Sequence, residues 1–209
     1  MLVFWDKRLV FLATPKTGST AVAAALDGLA AISIQRPPEA KHTTAQRYRR
    51  FIGPYLRAAA SADFEVVALM REPLDWIASW YRFRQRDDIP DAARATGQMS
   101  FDAFVRDYMR TPRPPHADVG SQARFLTVPE SGRGPGRVLA VDRLFAYEAI
   151  DGFVGFLEDR LDCEIILPRL NVSPEAPLDI APATVAAHRA FAAADYALWE
   201  SLSPGRGHG

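Results

Sequence analysis

The chain has 209 residues, of which 48% are hydrophobic and 24% charged, a composition that excludes a disordered or collagen-like protein. No apolar run approaches the ~20 residues that a membrane-spanning helix needs, so we expect no transmembrane segment. Lys plus Arg and Asp plus Glu number 25 each, and because this balance gives no broad basic surface we expect no nucleic-acid partner.

Two apolar runs near the start of the chain, at residues 9–13 and 65–70, predict strands that are buried on both faces. A helix is predicted after each of them, the first over residues 21–31. The second helix starts at Pro73, in the first turn where the missing N–H costs nothing, and runs through Phe83. Its aromatic residues Trp76, Trp80 and Tyr81 are expected to pack in the core.

The second half of the chain predicts a third strand at 137–141, an amphipathic helix at 147–161 and a last helix at 182–202. Strands that alternate with helices favour an α/β protein with a three-layer, P-loop-like fold, in which a central parallel β-sheet is flanked by helices. In such folds ligands bind beyond the carboxyl ends of the strands. The loops after the first two strands are therefore the candidate binding segments.

The loop after the first strand has the features of a phosphate-binding turn. Gly18 lets the backbone approach a ligand, the N–H groups of a helix start favour an anion, and Lys16 adds a point charge. The lysine precedes the glycine, unlike the order G-x-x-x-x-G-K-[ST] of a Walker A loop, which disfavours a kinase or ATPase. An ordinary turn between strand and helix is the alternative interpretation. The segment reads Thr14-Pro15-Lys16-Thr17-Gly18-Ser19-Thr20.

A second polar segment follows the second strand, where Arg71 precedes Pro73 by two residues and Ser79 by eight. Arg offers a planar fork of donors and Ser a rotatable hydroxyl, which suits a terminal phosphate if the turn at Pro73 brings the two together. The alternative is that Arg71 forms a surface salt bridge with Glu72 or Asp75.

A histidine in the segment Lys41-His42-Thr43-Thr44-Ala45 is the candidate general base, because imidazole titrates near neutral pH and accepts a proton from an attacking hydroxyl. The alternative for His42 is a structural role. Lys41 either orients a ligand or is a solvated charge. Two further segments give weaker signals. Gln122 and Arg124 are candidates for an acceptor cleft, although an ordinary helix surface is the favoured interpretation there. Residues 167–174 contain an Asn, a Ser and prolines, for which an ordinary turn is the alternative to a binding role.

These segments together resemble sulfotransferases that use 3′-phosphoadenosine 5′-phosphosulfate (PAPS), in particular bacterial members similar to the enzymes that sulfate heparan and related carbohydrates. The resemblance implies that loop 14–20 binds the 5′-phosphosulfate and that Arg71 and Ser79 hold the 3′-phosphate. It also places His42 in the region of the family's histidine base, and a segment resembling L-P-x-x-N-x-S near the nucleotide. The implied catalytic residues are Lys16 and His42, and the implied cofactor-binding residues are Pro15, Lys16, Thr17, Gly18, Ser19, Thr20, Arg71, Ser79, Asn171 and Ser173.

The activity that the resemblance implies is sulfonyl transfer from PAPS to a hydroxyl or amine of a small-molecule, lipid or carbohydrate acceptor, with PAP as the nucleotide product and no metal. Two alternatives remain. One is a non-catalytic module that binds PAP on the same scaffold. The other is a P-loop-like kinase that uses ATP and magnesium, with Asp142 as a metal ligand.

The lone cysteine, Cys163, cannot form a disulfide within the chain, and no Cys or His cluster has the spacing of a zinc site. The amino-terminal residues lack the pattern of a signal peptide. These features predict a cytoplasmic protein. No repeat and no long Pro- or Gly-rich stretch divides the chain, so we expect one domain over residues 1–209, with a disordered tail at 205–209.

Overall fold

The fold is built on a mixed β-sheet of five strands, seen in a computed structural model that describes residues 1–86, 89, 91–97, 99–130, 136–168 and 176–202. In these residues the strands are β1 (Leu2–Phe4), β2 (Leu9–Leu12), β3 (Ile32–Ser33), β4 (Glu65–Met70), β5 (Thr127–Pro129), β6 (Arg137–Leu139) and β7 (Arg143–Ala146). The main sheet has the order β3-β1-β2-β4-β7, and β5 pairs with β6 in a separate ribbon.

The two central strands, β2 and β4, follow from their apolar sequences. All of β2 is buried, and β4 is buried from Val66 to Met70. Continuous burial is typical of a strand covered on both faces, which needs apolar residues at every position. The predicted strands at 9–13 and 65–70 are therefore confirmed, and they pair in parallel with Leu9 opposite Glu65.

The sheet is not wholly parallel, and this part of the fold prediction is wrong. Strand β1 pairs antiparallel with both β2 and β3, whereas β2, β4 and β7 run in parallel. Only residues 5–8 connect β1 to β2, where Arg8 donates its backbone N–H to the Trp5 carbonyl at 3.2 Å. So short a connection allows a hairpin but not the crossover that parallel strands require.

The third strand, predicted at 137–141 for the central parallel sheet, is present in part but does not belong to that sheet. Residues Arg137–Leu139 form β6, which is exposed along its length and pairs antiparallel with β5. The third parallel strand is β7, which starts at Arg143. The chain changes from one sheet to the other at Asp142, whose carboxylate accepts a hydrogen bond from the Val66 N–H at 2.7 Å and whose own N–H donates to the Val66 carbonyl at 2.8 Å.

Helices cover both faces of the main sheet. On one face Phe11 packs with Phe153 and Leu157, and on the other Leu12 packs with Leu56. The chain is therefore an α/β protein with a mixed sheet flanked by helices. In the described residues the helices are α1 (Ser19–Leu26), α2 (Pro38–Lys41), α3 (Ala45–Arg47), α4 (Gly53–Ala60), α5 (Pro73–Arg84), α6 (Phe101–Tyr108), α7 (Gln122–Leu126), α8 (Ile150–Leu161), α9 (Pro182–Phe191) and α10 (Ala193–Glu200).

Most of the predicted helices are present. Helix α5 starts at Pro73, and the carboxylate of Glu72 caps it by accepting the Asp75 N–H. The predicted helix at 147–161 is a 3-10 turn, Tyr147–Ala149, followed by α8. The predicted last helix is broken at Ala192 into α9 and α10, and Asp195, just after the break, accepts hydrogen bonds from Ser121 and the backbone of α7.

Among the described helices, none combines the length and apolar character that a membrane crossing requires. The predicted tail at 205–209 lies outside the described residues.

Candidate functional site

The candidate site lies where the three parallel strands end. Loop 14–20 follows β2, Arg71 follows β4 and Tyr147 follows β7. Because the carboxyl ends of neighbouring parallel strands lie at one edge of a sheet, these three segments come together there. The expected position of the binding segments is thus reproduced, and β7 adds a residue that no local motif indicated.

Loop 14–20 turns sharply into α1. Lys16 has φ 63° and Gly18 has φ 71°, both in the left-handed region. The Thr17 hydroxyl donates to the Thr14 carbonyl at 2.9 Å and fixes the turn from inside. Gly18 is the N-cap of α1 and provides no side-chain cap, so the N–H groups of Ser19 and Thr20, at the start of this eight-residue helix, have no acceptor in the described residues.

Gly18 is required at its position for a second reason. A Cβ there would lie 3.1 Å from Cε2 of Tyr147. The same tyrosine ring lies 4.7 Å from the guanidinium carbon of Arg71. Tyr147 therefore contacts both predicted phosphate-binding segments, although it is far from each of them in the sequence.

The Lys16 ammonium lies over aromatic rings in a cation-rich part of the site. Its Nζ is 4.2 Å from the ring centroid of Phe83 and 5.6 Å from that of Trp80. Burial, and after it the positive charges of Arg71, Arg86 and Arg84, together lower the pKa of Lys16 to about 8. An anion bound here would relieve the repulsion among these cations.

His42 is held by one ring nitrogen in the form that a general base requires. Its Nδ1 lies 2.6 Å from the carbonyl oxygen of Ala13, the residue before loop 14–20. A carbonyl only accepts, so Nδ1 carries the proton and the lone pair of the neutral ring is on Nε2. Burial lowers the pKa of His42, the hydrogen bond to Ala13 raises it, and the charges of Lys41 and Lys16 lower it, with a net shift downwards.

Lys41 attaches the same segment to the loop a second time. Its Nζ donates a hydrogen bond to the Thr20 hydroxyl at 3.0 Å, and burial lowers its pKa. Lys41 is therefore not a fully solvated charge, which was one of the two interpretations of its sequence position. Together with His42 it docks residues 41–42 against loop 14–20.

Arg71 faces the loop but is already paired. Its Nε donates to Oδ2 of Asp75 at 2.5 Å, the salt bridge that the sequence offered as the alternative. A second nitrogen, Nη1, lies 3.4 Å from the Lys16 carbonyl. Ser79 is buried within α5, and no contact among the described residues joins it to Arg71. The structure thus brings Arg71 to the loop but does not bring Ser79 to Arg71.

Two anchoring contacts were not foreseen. The indole Nε1 of Trp76 donates to the Pro15 carbonyl at 2.8 Å, so this residue holds the loop as well as packing in the core as predicted. The amide of fully buried Gln122 accepts the Arg71 N–H at 2.9 Å and donates to the Arg71 carbonyl at 2.8 Å. Both contacts join residues more than 50 positions apart in the sequence, so no local pattern predicts them. The only available signals were a Trp expected in the core and a Gln beside an apolar run.

A cavity of about 710 Å³ opens beside the loop, and we call it the loop-side cavity. Its near wall includes Thr14, Pro15 and Trp76, and Thr44 adds a residue two positions after His42. Gln122 and Arg124, for which the sequence favoured an ordinary helix surface over an acceptor cleft, both line it. Arg124 is exposed, but Gln122 is fully buried, so the surface interpretation is wrong for Gln122. Of the remaining predicted site residues, Asn171 and Ser173 lie outside the described residues.

Comparison of the chain with protein-family models, with curated proteins and with solved structures finds no match.

Proposed function

We propose that the protein is a PAPS-dependent sulfotransferase with a three-layer, P-loop-like α/β fold. The observation that supports this best is that three separate segments, loop 14–20, residues 41–42 and Arg71, meet at one place. Lys41 contacts Thr20, His42 contacts Ala13 and Arg71 contacts the Lys16 carbonyl. These are the segments that the resemblance assigns to the phosphosulfate, the base and the 3′-phosphate.

In this proposal the nucleotide binds at the carboxyl ends of the parallel strands. The hydroxyls and N–H groups of loop 14–20 hold the 5′-phosphosulfate, and Lys16 provides the charge. Arg71 holds the 3′-phosphate with the nitrogens that Asp75 does not occupy, which distinguishes PAPS from ATP. The remaining proposed cofactor-binding residues rest only on the resemblance to sulfotransferases; they are Ser79, Asn171 and Ser173.

The proposed reaction is an in-line displacement at sulfur. The acceptor oxygen forms a new S–O bond while the bond from sulfur to the bridging oxygen of the 5′-phosphate breaks, and PAP leaves with that electron pair. Lys16 stabilises the charge that grows on this oxygen, a type of interaction typically worth about 3 kcal/mol. Nε2 of His42 takes the proton of the acceptor hydroxyl, since Nδ1 is committed to Ala13.

The acceptor approaches from the loop-side cavity, because that space adjoins both the loop and the segment of His42. We also propose a cytoplasmic location, where PAPS would meet a protein whose only cysteine is the free Cys163.

The proposal is tested by calorimetry with PAP and with ATP plus magnesium. We expect PAP to bind more tightly, and Lys16→Ala to weaken PAP binding, whereas the matched control Lys7→Ala, on the exposed β1–β2 turn, leaves it unchanged. Tighter binding of ATP would contradict the proposal and favour a kinase.

Activity needs a separate measurement, a mass-spectrometric screen for products that gain a sulfonate from PAPS. Lipids, sugars and small hydroxylated metabolites are the acceptors to include. Turnover that depends on His42 would support the full mechanism. PAP binding without turnover of any acceptor would instead support a non-catalytic binding module.

A further inference from the structure

The lining of the loop-side cavity is rich in arginine. Asp118 is the one acidic side chain that lines the cavity in the described part of the chain. Arg110 is paired, since its Nη1 lies 3.1 Å from Oδ1 of Asp107. The lining arginines are Arg110, Arg113, Arg124 and Arg137.

Two of these arginines are held in place by neutral groups. Nε of Arg113 donates to the Tyr108 carbonyl at 2.7 Å, and its guanidinium carbon lies 4.2 Å from the Tyr108 ring centroid. Nε and Nη2 of Arg137 donate to the hydroxyl and carbonyl of Thr127 at 2.8 and 2.7 Å. Carbonyls and hydroxyls fix a guanidinium without neutralising its charge, and each arginine keeps further N–H donors.

Arg124 differs from the other two because its side chain is exposed and has no partner among the described residues. None of Arg113, Arg124 and Arg137 forms an ion pair with a carboxylate in the described part of the chain. Three arginines without an ion-pair partner in the described part of the chain therefore line the cavity, with Asp118 in the same lining and Asp195 close enough to Arg113 for their charges to interact. The held guanidinium groups of Arg113 and Arg137 can bind planar or tetrahedral anions in a bidentate manner with little loss of side-chain entropy, and exposed Arg124 adds a third charged donor.

The size of the cavity limits the ligand. A volume of about 710 Å³ falls in the range of pockets that enclose a single small molecule. Thr14 and Pro15 line the same cavity, so a molecule that fills it contacts both the arginines and the loop.

Building on the proposed function, we propose that the acceptor is a small hydroxylated molecule that also carries an acidic group, a carboxylate, sulfate or phosphate. Arg113, Arg124 and Arg137 bind the acidic group. The hydroxyl at the other end of the molecule then lies beside loop 14–20, where sulfonyl transfer takes place. The arginines select the acceptor and take no part in the chemical step.

The test uses sulfate, phosphate and acetate as probes on the ¹⁵N-arginine-labelled protein saturated with PAP. We expect each anion that the cavity accepts to shift the Nε–Hε signals of Arg113, Arg124 and Arg137 in a saturable manner. The three probes distinguish which acidic group is preferred. Arg124→Gln is expected to weaken the binding about tenfold, because it removes a charged donor from the anion.

The matched control is Arg160→Gln, because Arg160 pairs with Glu65 at the amino end of β4, away from the site. It is expected to leave anion binding unchanged. The inference would be overturned if none of the three anions gave saturable shifts. It would also be overturned if the anions bound to Arg124→Gln as well as to the unmodified protein. If the protein does not bind PAP, the proposed function is contradicted. The anion titration can then be repeated without nucleotide, and it still decides whether the cavity binds anions.

A competition experiment tests the acceptor class directly. Glucuronate and glucose share a hydroxylated ring and differ in the acidic group, so glucuronate is expected to displace bound sulfate at lower concentration than glucose. Equal displacement by the two sugars would show that the cavity does not select for acidity.

Discussion

Nζ of Lys41 donates a hydrogen bond to the Thr20 hydroxyl at 3.0 Å, joining the segment of the candidate base to the start of α1. Lys41→Met keeps the length of the side chain and removes this donor. We expect a lower kcat/KM, because His42 is then attached to the loop only through Ala13. A double-mutant cycle with Thr20→Val should give a coupling of about 1 kcal/mol, and additive effects of the two changes would contradict the contact's role.

The pH dependence of kcat/KM should be bell-shaped, since it reports the free enzyme. The base must be neutral, so activity rises with pH through a pKa that burial holds below the usual 6.5 of His42. It falls again near pH 8, where Lys16 loses its charge. Lys16→Arg should remove the alkaline limb, because arginine stays protonated. An unchanged alkaline limb in this variant would exclude Lys16 as its origin.

Asp75→Asn tests whether Arg71 receives a phosphate. The substitution removes the negative charge from Nε of Arg71 and leaves the backbone N–H of residue 75 free to keep its bond to Glu72. We expect PAP to bind about threefold to tenfold more tightly, with a smaller change for 5′-AMP, which has no 3′-phosphate. Calorimetry with both nucleotides measures the difference. Weaker PAP binding would indicate that the salt bridge only orients Arg71.

Gly18→Ala should be damaging, and the chain provides a matched control. The new Cβ would meet Tyr147 at 3.1 Å, and the φ of 71° adds a cost of about 1–2 kcal/mol for an L-residue. At Gly152, in α8, nothing lies within 4 Å, so Ala there should be stabilising by about 0.5–1 kcal/mol. Denaturant unfolding and PAP binding measure both effects, and similar results for the two variants would contradict the close approach of Tyr147.

His188 should make the fold sensitive to acid. It is fully buried, its Nε2 has no hydrogen-bond partner within the described residues, and burial lowers its pKa from 6.5 to about 4. Between these values the unfolded chain binds the proton and the folded chain does not, so the free energy of unfolding falls by ~3 kcal/mol as the pH drops from 6.5 to 4. At neutral pH this loss is absent.

The measurement is a series of urea unfolding curves over this pH range for the wild-type protein and His188→Phe. Half-buried Glu72 and buried Asp195, whose pKa values are raised by desolvation, contribute to both proteins and cancel in the comparison. A wild-type curve with the same pH slope as the variant would show that His188 does not titrate on unfolding.

The sequence predicted the parts of the fold that depend on local pattern. β2 and β4 were found because each is apolar at successive positions, and α5 because Pro73 marks its start. β7 was missed because it begins with Arg143 and lies at the sheet edge, where its residues are only partly buried. The more apolar run before it belongs to β6, where pairing with β5 rather than burial decides the structure.

The candidate site was predictable where neighbouring residues act together, and not where the fold joins distant ones. The loop around Gly18 has a local signature, and the left-handed backbone there agrees with it. The ring of Tyr147 against Gly18 and the amide of Gln122 on Arg71 are contacts between segments far apart in the chain. No spacing rule predicts such pairs, because they depend on which strands become neighbours.

Trp76 lines the loop-side cavity while its Nε1 donates to the Pro15 carbonyl. One rigid side chain is therefore shared by the cavity and by the loop that we propose binds the nucleotide. A ligand that moves the indole on one side changes the geometry on the other, and linkage requires the effect to be reciprocal. The nucleotide and the acceptor that we propose should therefore bind with measurable synergy or antagonism rather than independently.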